Sequence, residues 1–210
     1  MSVDAEQLIR WAGLAAIAAG VIFCAIQPVH PADVAASVTS GAWSTVMAFK
    51  LAMCLLFLVG LSGIYARQAG RAGWLGLAGF VFLLLSWWLQ TGFVFAEAFI
   101  LPVTVASAPG FVESFLGMFN GSPGETPIGG LPTVYAAVGL LYMAGGILFG
   151  IATVRAGVLP RAPAILLAVA ALVTPAAALL PHELQRYVAV PVGIAVAWLG
   201  YALWSERRAA

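Results

Sequence analysis

Six apolar runs, each about the length of a membrane span and separated by short breaks rich in proline, glycine and arginine, dominate this chain. They fall at about 8–27, 43–65, 74–101, 131–154, 162–180 and 187–204. A helix needs about 20 mostly apolar residues to cross about 30 Å of hydrocarbon. Six such runs use most of the 210 residues and leave no room for a soluble domain. The expected fold is all-α, a single polytopic transmembrane bundle of six spans over residues 1–210. Composition points the same way: 63% of residues are hydrophobic and 8% are charged, against about 25% charged in soluble domains. Nine basic and eight acidic side chains cannot cover a soluble surface of this size. That balance argues against disorder, nucleic-acid binding and a secreted disulfide scaffold.

Orientation is read from lysine and arginine in the short loops. With the N-terminus inside, Arg10, Arg67, Arg71, Arg155, Arg161, Arg207 and Arg208 fall on the cytoplasmic side, and only Lys50 and Arg186 face outward. Both termini are therefore expected to be cytoplasmic. Residues 1–7 are acidic, unlike the positive leader of a signal peptide, so the first run is expected to be a retained helix. Trp11, Trp43, Trp74, Trp198 and Trp204 lie near predicted helix ends, where interfacial indoles are expected. Gly146 and Gly150 form a G-x-x-x-G pair that calls for close helix contact, either within the chain or across a homodimer.

The remaining ionisable residues gather in the outer half. His30, Asp33, Lys50, Glu97, Glu113, Glu125, His182, Glu183 and Arg186 all belong there. Lys50 and Glu97 lie within spans, where a charge is expensive and is usually paired or set in a cavity. At 1.5 Å per residue, Lys50 is about 10 Å beyond Trp43 and Glu97 about 6 Å before Leu101, compatible depths on neighbouring antiparallel helices. An ion pair between them is expected, serving either helix register or a functional pocket; snorkelling of Lys50 to the interface is the plainer alternative. Gln90, seven residues before Glu97, shares its helix face.

His30 and His182 follow the first and fifth runs in similar Pro-rich settings. Two histidines on one face could ligate a haem or, with Asp33, Glu97 or Glu183, a metal. Neither spacing is a ligand motif, and His182-Glu183-Leu184-Gln185 lacks the second histidine of H-E-x-x-H because residue 186 is arginine. No cofactor is therefore expected. Cys24 and Cys54 lie at different depths with no C-x-x-C, which predicts two buried thiols rather than a disulfide. Residues 102–130 form the longest loop, expected outside the membrane. Within it, 111–119 is amphipathic, with Glu113 and Ser114 expected to face away from its apolar side. Such a helix lies flat at an interface or folds over the bundle as a lid above Lys50 and Glu97.

Several segments carry a resemblance. His30-Pro31-x-Asp33, Trp43, the run 63–68, Phe95-Ala96-Glu97-Ala98-Phe99, the run 155–161 and Pro181-His182-Glu183 resemble a group of small, uncharacterised six-span integral membrane proteins of bacteria. The resemblance covers nearly the whole chain and implies a multi-pass protein of the bacterial cytoplasmic membrane, with no reaction attached. In similar sequences the Lys50 position is associated with histidine, which weakens any mechanism that demands a lysine there.

Three functional expectations follow. The first is a binding or accessory protein whose outer-leaflet pocket, lined by Gln27, His30, Lys50, Gln90, Glu97 and His182, holds a membrane lipid or other amphiphile. The second is a membrane-embedded acid/base enzyme acting on an apolar, isoprenoid-like substrate. Glu97, the first catalytic candidate with Lys50 the second, would donate the proton, and Trp87, Trp88, Phe93 and Phe95 would form aromatic walls. A lysine beside Glu97 opposes that role by keeping the carboxylate ionised. The third is a transporter or channel component, against which polar residues thin out toward the inner half.

Overall fold

Asp4 opens the first helix by accepting a hydrogen bond from the Gln7 amide at 2.7 Å, an N-cap that satisfies one of the free donors of the first turn. The computed structural model describes residues 4–180 and 182–206, with the side chains at 178, 182 and 183 outside the description. From this cap α1 runs over Ala5–Ala25. Ser40 caps α2 (Gly41–Phe95) in the same way, accepting from the Trp43 amide at 3.1 Å.

A straight helix would hold Lys50 and Glu97 about 70 Å apart at 1.5 Å per residue. They touch, because α2 reverses at Gly73, whose φ of 59° and ψ of −166° suit glycine and break the helical path. Residues 41–72 and 74–95 form two antiparallel arms. Tyr65 stacks on Phe80 at 4.5 Å between ring centres and Phe57 stacks on Trp87 at 3.9 Å, a ladder closed by Lys50 and Glu97. The second arm passes through a π-helical turn, Ala96–Ile100, into α3 (Leu101–Thr104).

The amphipathic loop segment forms α4 (Pro109–Asn120), stopped by Gly121 at φ 74°. Val112, Phe115 and Leu116 pack against Trp43, Met47 and Phe93, so α4 folds over one end of the bundle. Glu113 is exposed as expected, but Ser114 is buried: its hydroxyl accepts from the Thr126 amide at 3.1 Å and pins the returning loop. The chain continues as α5 (Leu131–Ala156) and α6 (Arg161–Val173). The sequence suggests a span over 162–180, yet regular α-helix ends at Val173. Pro175 lacks an amide hydrogen and its ring crowds the carbonyl four residues back, so Thr174–Leu179 continues as a 3-10 turn. Then come α7 (His182–Gln185), another 3-10 turn at Arg186–Ala189, and α8 (Val190–Ser205).

The helices close into a ring. α1 lies between α8 and the first arm of α2, the second arm lies on α5, α5 on α6, and α6 on α8. Small residues make these contacts close. Gly60 meets Ala16, Gly79 meets Phe149, and Gly20 meets Gly193 and Ala197. Gly146 and Gly150 face α6: a Cβ on Gly150 would lie 2.6 Å from the Ala164 carbonyl oxygen. A homodimer using this pair would have to displace α6. At the Gly73 end, Arg10 donates to the Trp204 carbonyl at 3.1 Å and Arg67 pairs with Glu206 at 2.6 Å, which ties α1 and the first arm of α2 to the end of α8.

No strand occurs among the described residues. Four helical stretches, Ala5–Val29, Gly41–Thr104, Leu131–Ala156 and Arg186–Ser205, are long and apolar enough to cross a membrane, and they mark the chain as a membrane protein.

Candidate functional site

The polar residues of the Lys50 end converge because three irregular segments meet there. The first is the π-helical turn that carries Glu97, on the arm opposite Lys50. π turns displace the usual carbonyl partners and often occur at functional positions. Here the Glu97 backbone carbonyl accepts the Trp43 indole N–H at 2.9 Å. Trp43 is 0% exposed, so the position expected to anchor an interface instead locks the two arms of α2 together. Its place beside a predicted helix end looked interfacial, and only the reversal of α2 puts Glu97 over it.

Lys50 Nζ donates to Glu97 Oε2 at 2.8 Å, with the Glu97 side chain almost fully buried. The second segment brings His30 to the other side of the ammonium, with Nε2 at 3.3 Å. His30 Nδ1 lies 2.7 Å from the Pro31 carbonyl oxygen, which can only accept. That contact places the hydrogen on Nδ1 and leaves the Nε2 lone pair to accept from Lys50. Burial, reinforced by the nearby Lys50 charge, pushes His30 down to about 4, so the ring is neutral at ordinary pH.

The third segment is the turn that starts at Arg186. Arg186 Nη1 donates to the His30 carbonyl at 2.9 Å, and Nη2 stands 4.0 Å from Asp33 Oδ2. Asn120, at the end of α4, donates to the Asp33 carbonyl at 2.8 Å. Residues 30–33 are thereby held between α4 and Arg186. In sequence Asp33 and Arg186 read as scattered outer-half charges, and no spacing links residues 153 positions apart.

Below this cluster lies a cavity of about 550 Å³. Lys50, Glu97, His30, Asp33 and Arg186 form one end of it, and Phe23, Met53, Trp87, Val94 and Tyr142 line the other. Trp87 is wedged between Phe57, stacked at 3.9 Å, and the edge-on rings of Phe23 and Tyr142. Gln27, also on the wall, is tied to the Phe23 carbonyl at 2.7 Å. Gln90 lines the same space, as does Ser86, which donates to the Val138 carbonyl at 3.0 Å.

Of the six residues read from sequence as a ligand site, Gln27, His30, Lys50, Gln90 and Glu97 thus line one cavity. The His182 side chain, and that of Glu183 beside it, lie outside the described residues. Among the four expected aromatic walls only Trp87 reaches the cavity. Trp88 and Phe95 are exposed on the bundle's perimeter, and Phe93 packs with Phe115, Phe119 and Tyr135 under α4. Helical periodicity explains the split, since adjacent residues point about 100° apart and only one of Trp87 and Trp88 can face inward. Cys24 and Cys54 are free thiols, Cys24 donating weakly to the Val190 carbonyl at 3.4 Å. Among the described residues no group of three His, Cys, Asp or Glu is placed to hold a metal.

The class of protein is set by these features: an all-helical membrane protein whose ring of helices encloses a cavity with paired charges at one end and aromatic rings at the other. No protein-family model, curated protein or solved structure matches this chain.

Proposed function

We propose that the chain is a six-span protein of the bacterial cytoplasmic membrane, with both termini inside, whose cavity binds a lipid or other amphiphile in a binding or accessory role. One observation carries the reading: a single cavity of small-molecule size joins a hydrogen-bonding, charged end to an apolar aromatic end. That is the shape of an amphiphile in negative. The arms of α2 supply two spans, α6 with its 3-10 continuation a short fifth, and α8 the sixth. Arg10 and Arg67 lie at the Gly73 end, opposite the cavity, which agrees with a cytoplasmic face there.

The acid/base alternative is weaker. Glu97 Oε2 accepts from Lys50 at 2.8 Å, so that oxygen is engaged by the lysine rather than turned to a substrate. A transport path has no visible continuation, because the aromatic floor and the glycine-mediated contacts close the bundle beneath the cavity.

The test is mass spectrometry of small molecules released from purified wild-type protein and from Glu97→Gln. A stoichiometric amphiphile in the wild type that is depleted in the variant is the expected result. Bulk lipid unchanged by the substitution would reduce Lys50–Glu97 to a structural pair. The topology is tested separately, in a variant with both native cysteines replaced by serine. A cysteine placed at Ser122 should react with a membrane-impermeant maleimide in intact cells, and protection there would reverse or refute the orientation.

A further inference from the structure

The ring of helices is not equally tight all round. At the Gly73 end α5 and α6 are zipped together: a Cβ on Gly150 would fall 2.6 Å from the Ala164 carbonyl oxygen and 2.8 Å from the Ala168 Cβ, and Gly146 sits against Ala171. Carrying that register one to two turns toward Lys50 brings Gly139 opposite residues 177–179. The zipper has ended by then. Pro175 has turned α6 into a 3-10 segment, and residues 174–179 pack with the turns after them while barely touching α5. Gly139 is exposed, a side chain built on it would meet nothing within 4 Å, and it lines the cavity together with Ala136, Thr174 and Ala177. The cavity therefore has a side opening, edged by small residues, at the height of its aromatic floor.

The charges inside select what enters. Among the described residues two cations, Lys50 and Arg186, face two carboxylates, Glu97 and Asp33, and His30 between them is an uncharged acceptor. An anionic head would meet both carboxylates and a cationic head both bases. A head that carries no net charge but both donates and accepts can engage each pair without leaving a buried charge unmatched. The cavity also lies within the range of about 300–1,000 Å³ typical of small-molecule sites. A head and the first part of a chain fit inside, and a long chain must leave.

We infer that the cavity takes a long-chain amphiphile with a net-neutral, hydrogen-bonding head, and that its chain passes sideways out of the bundle between α5 and residues 174–179. This rests on the reading of the cavity as an amphiphile site and adds the head's charge class and the route of the chain. Nothing covalent is required.

The full chain is assembled into nanodiscs of phosphatidylethanolamine and phosphatidylglycerol in equal parts, transferred to mild detergent, and its retained lipid quantified by mass spectrometry. Retention of phosphatidylethanolamine in preference to phosphatidylglycerol is expected, falling about tenfold in Gly139→Trp, which plugs the opening. In parallel, wild-type protein is photolysed with a phosphatidylethanolamine that carries a diazirine at mid-chain. Adducts should concentrate in 134–142 and 172–179, and this arm stands even where Gly139→Trp fails to fold. Adducts spread around the perimeter, including Trp88, would overturn the side opening, as would full retention by a folded Gly139→Trp. Preference for phosphatidylglycerol would overturn the neutral head. No lipid retained beyond bulk would overturn the amphiphile reading itself.

Discussion

The two ends of the bundle are built on opposite rules. At the Gly73 end helices meet backbone to backbone, through Gly60 on Ala16, Gly79 on Phe149 and Gly150 on Ala164 and Ala168, and the space left there, lined by Leu8, Ile9, Ala66 and Trp88, is an open apolar groove without a charged residue. At the Lys50 end α1 and α8 still touch through Gly20, Cys24 and Gly193, but α5 and residues 174–179 part, and a cavity of about 550 Å³ opens. Close packing by small residues is the main attraction available to helices in lipid, where burial from water no longer drives association. One half of the molecule therefore supplies cohesion, and the other can bear a cluster of charges and a void.

Substitutions should separate the two ends. The largest effect is expected from Glu97→Ala, which strands the Lys50 ammonium and should cost about 3–5 kcal/mol, read as a drop in thermal stability in detergent. The double replacement Lys50→Met with Glu97→Met should recover most of that loss; a double variant as unstable as the single would show that the pair does more than neutralise itself. Next, Gly150→Leu should cost about 1–3 kcal/mol by forcing α5 from α6, whereas Gly139→Leu on the same helix should be close to neutral. Equal costs at 150 and 139 would erase the contrast between a zipped and an open seam. Trp43→Phe removes the one indole donor to the Glu97 carbonyl and should cost about 1 kcal/mol. Unchanged stability and unchanged lipid retention would show that the π turn holds Glu97 unaided.

A separate test is in pH. His30 titrates at about 4 in the folded protein against 6.5 ordinarily, so the unfolded chain binds more protons between those values. Stability is then complete above about 6.5 and declines as pH falls toward 4, with no further loss from this group below that. The decline should be shallower in His30→Gln, measured by thermal unfolding across that range. Identical profiles would remove His30 from the polar cluster's energetics.

Several of these features were legible in the sequence for local reasons. The apolar runs announce membrane-length helices, because a span depends on the composition of about 20 consecutive residues. Lys50 and Glu97 could be matched because their depths follow from helix rise. The contacts of Trp43, Asp33 and Arg186 were not legible. Trp43 meets Glu97 across 54 positions and Arg186 meets the 30–33 turn across more than 150, distances over which no periodicity carries information. Ser114 misled for a related reason: polarity suggested solvent, but the loop beyond α4 returns and buries the hydroxyl on the Thr126 amide.

By itself the sequence determines an all-helical chain with membrane-length helices, small residues where helices must approach, and an acid and a base carried inside the apolar runs. Those properties are set residue by residue, by transfer of side chains from water and by the steric demands of glycine and proline. Only the tertiary structure decides that the runs form a ring, that α2 doubles back at Gly73 so that Trp43 and Lys50 face Glu97, and that α6 leaves α5 after Pro175. A cavity is the space left when particular helices fail to touch. It belongs to pairs of distant segments rather than to any one of them, which is why it appears first in three dimensions.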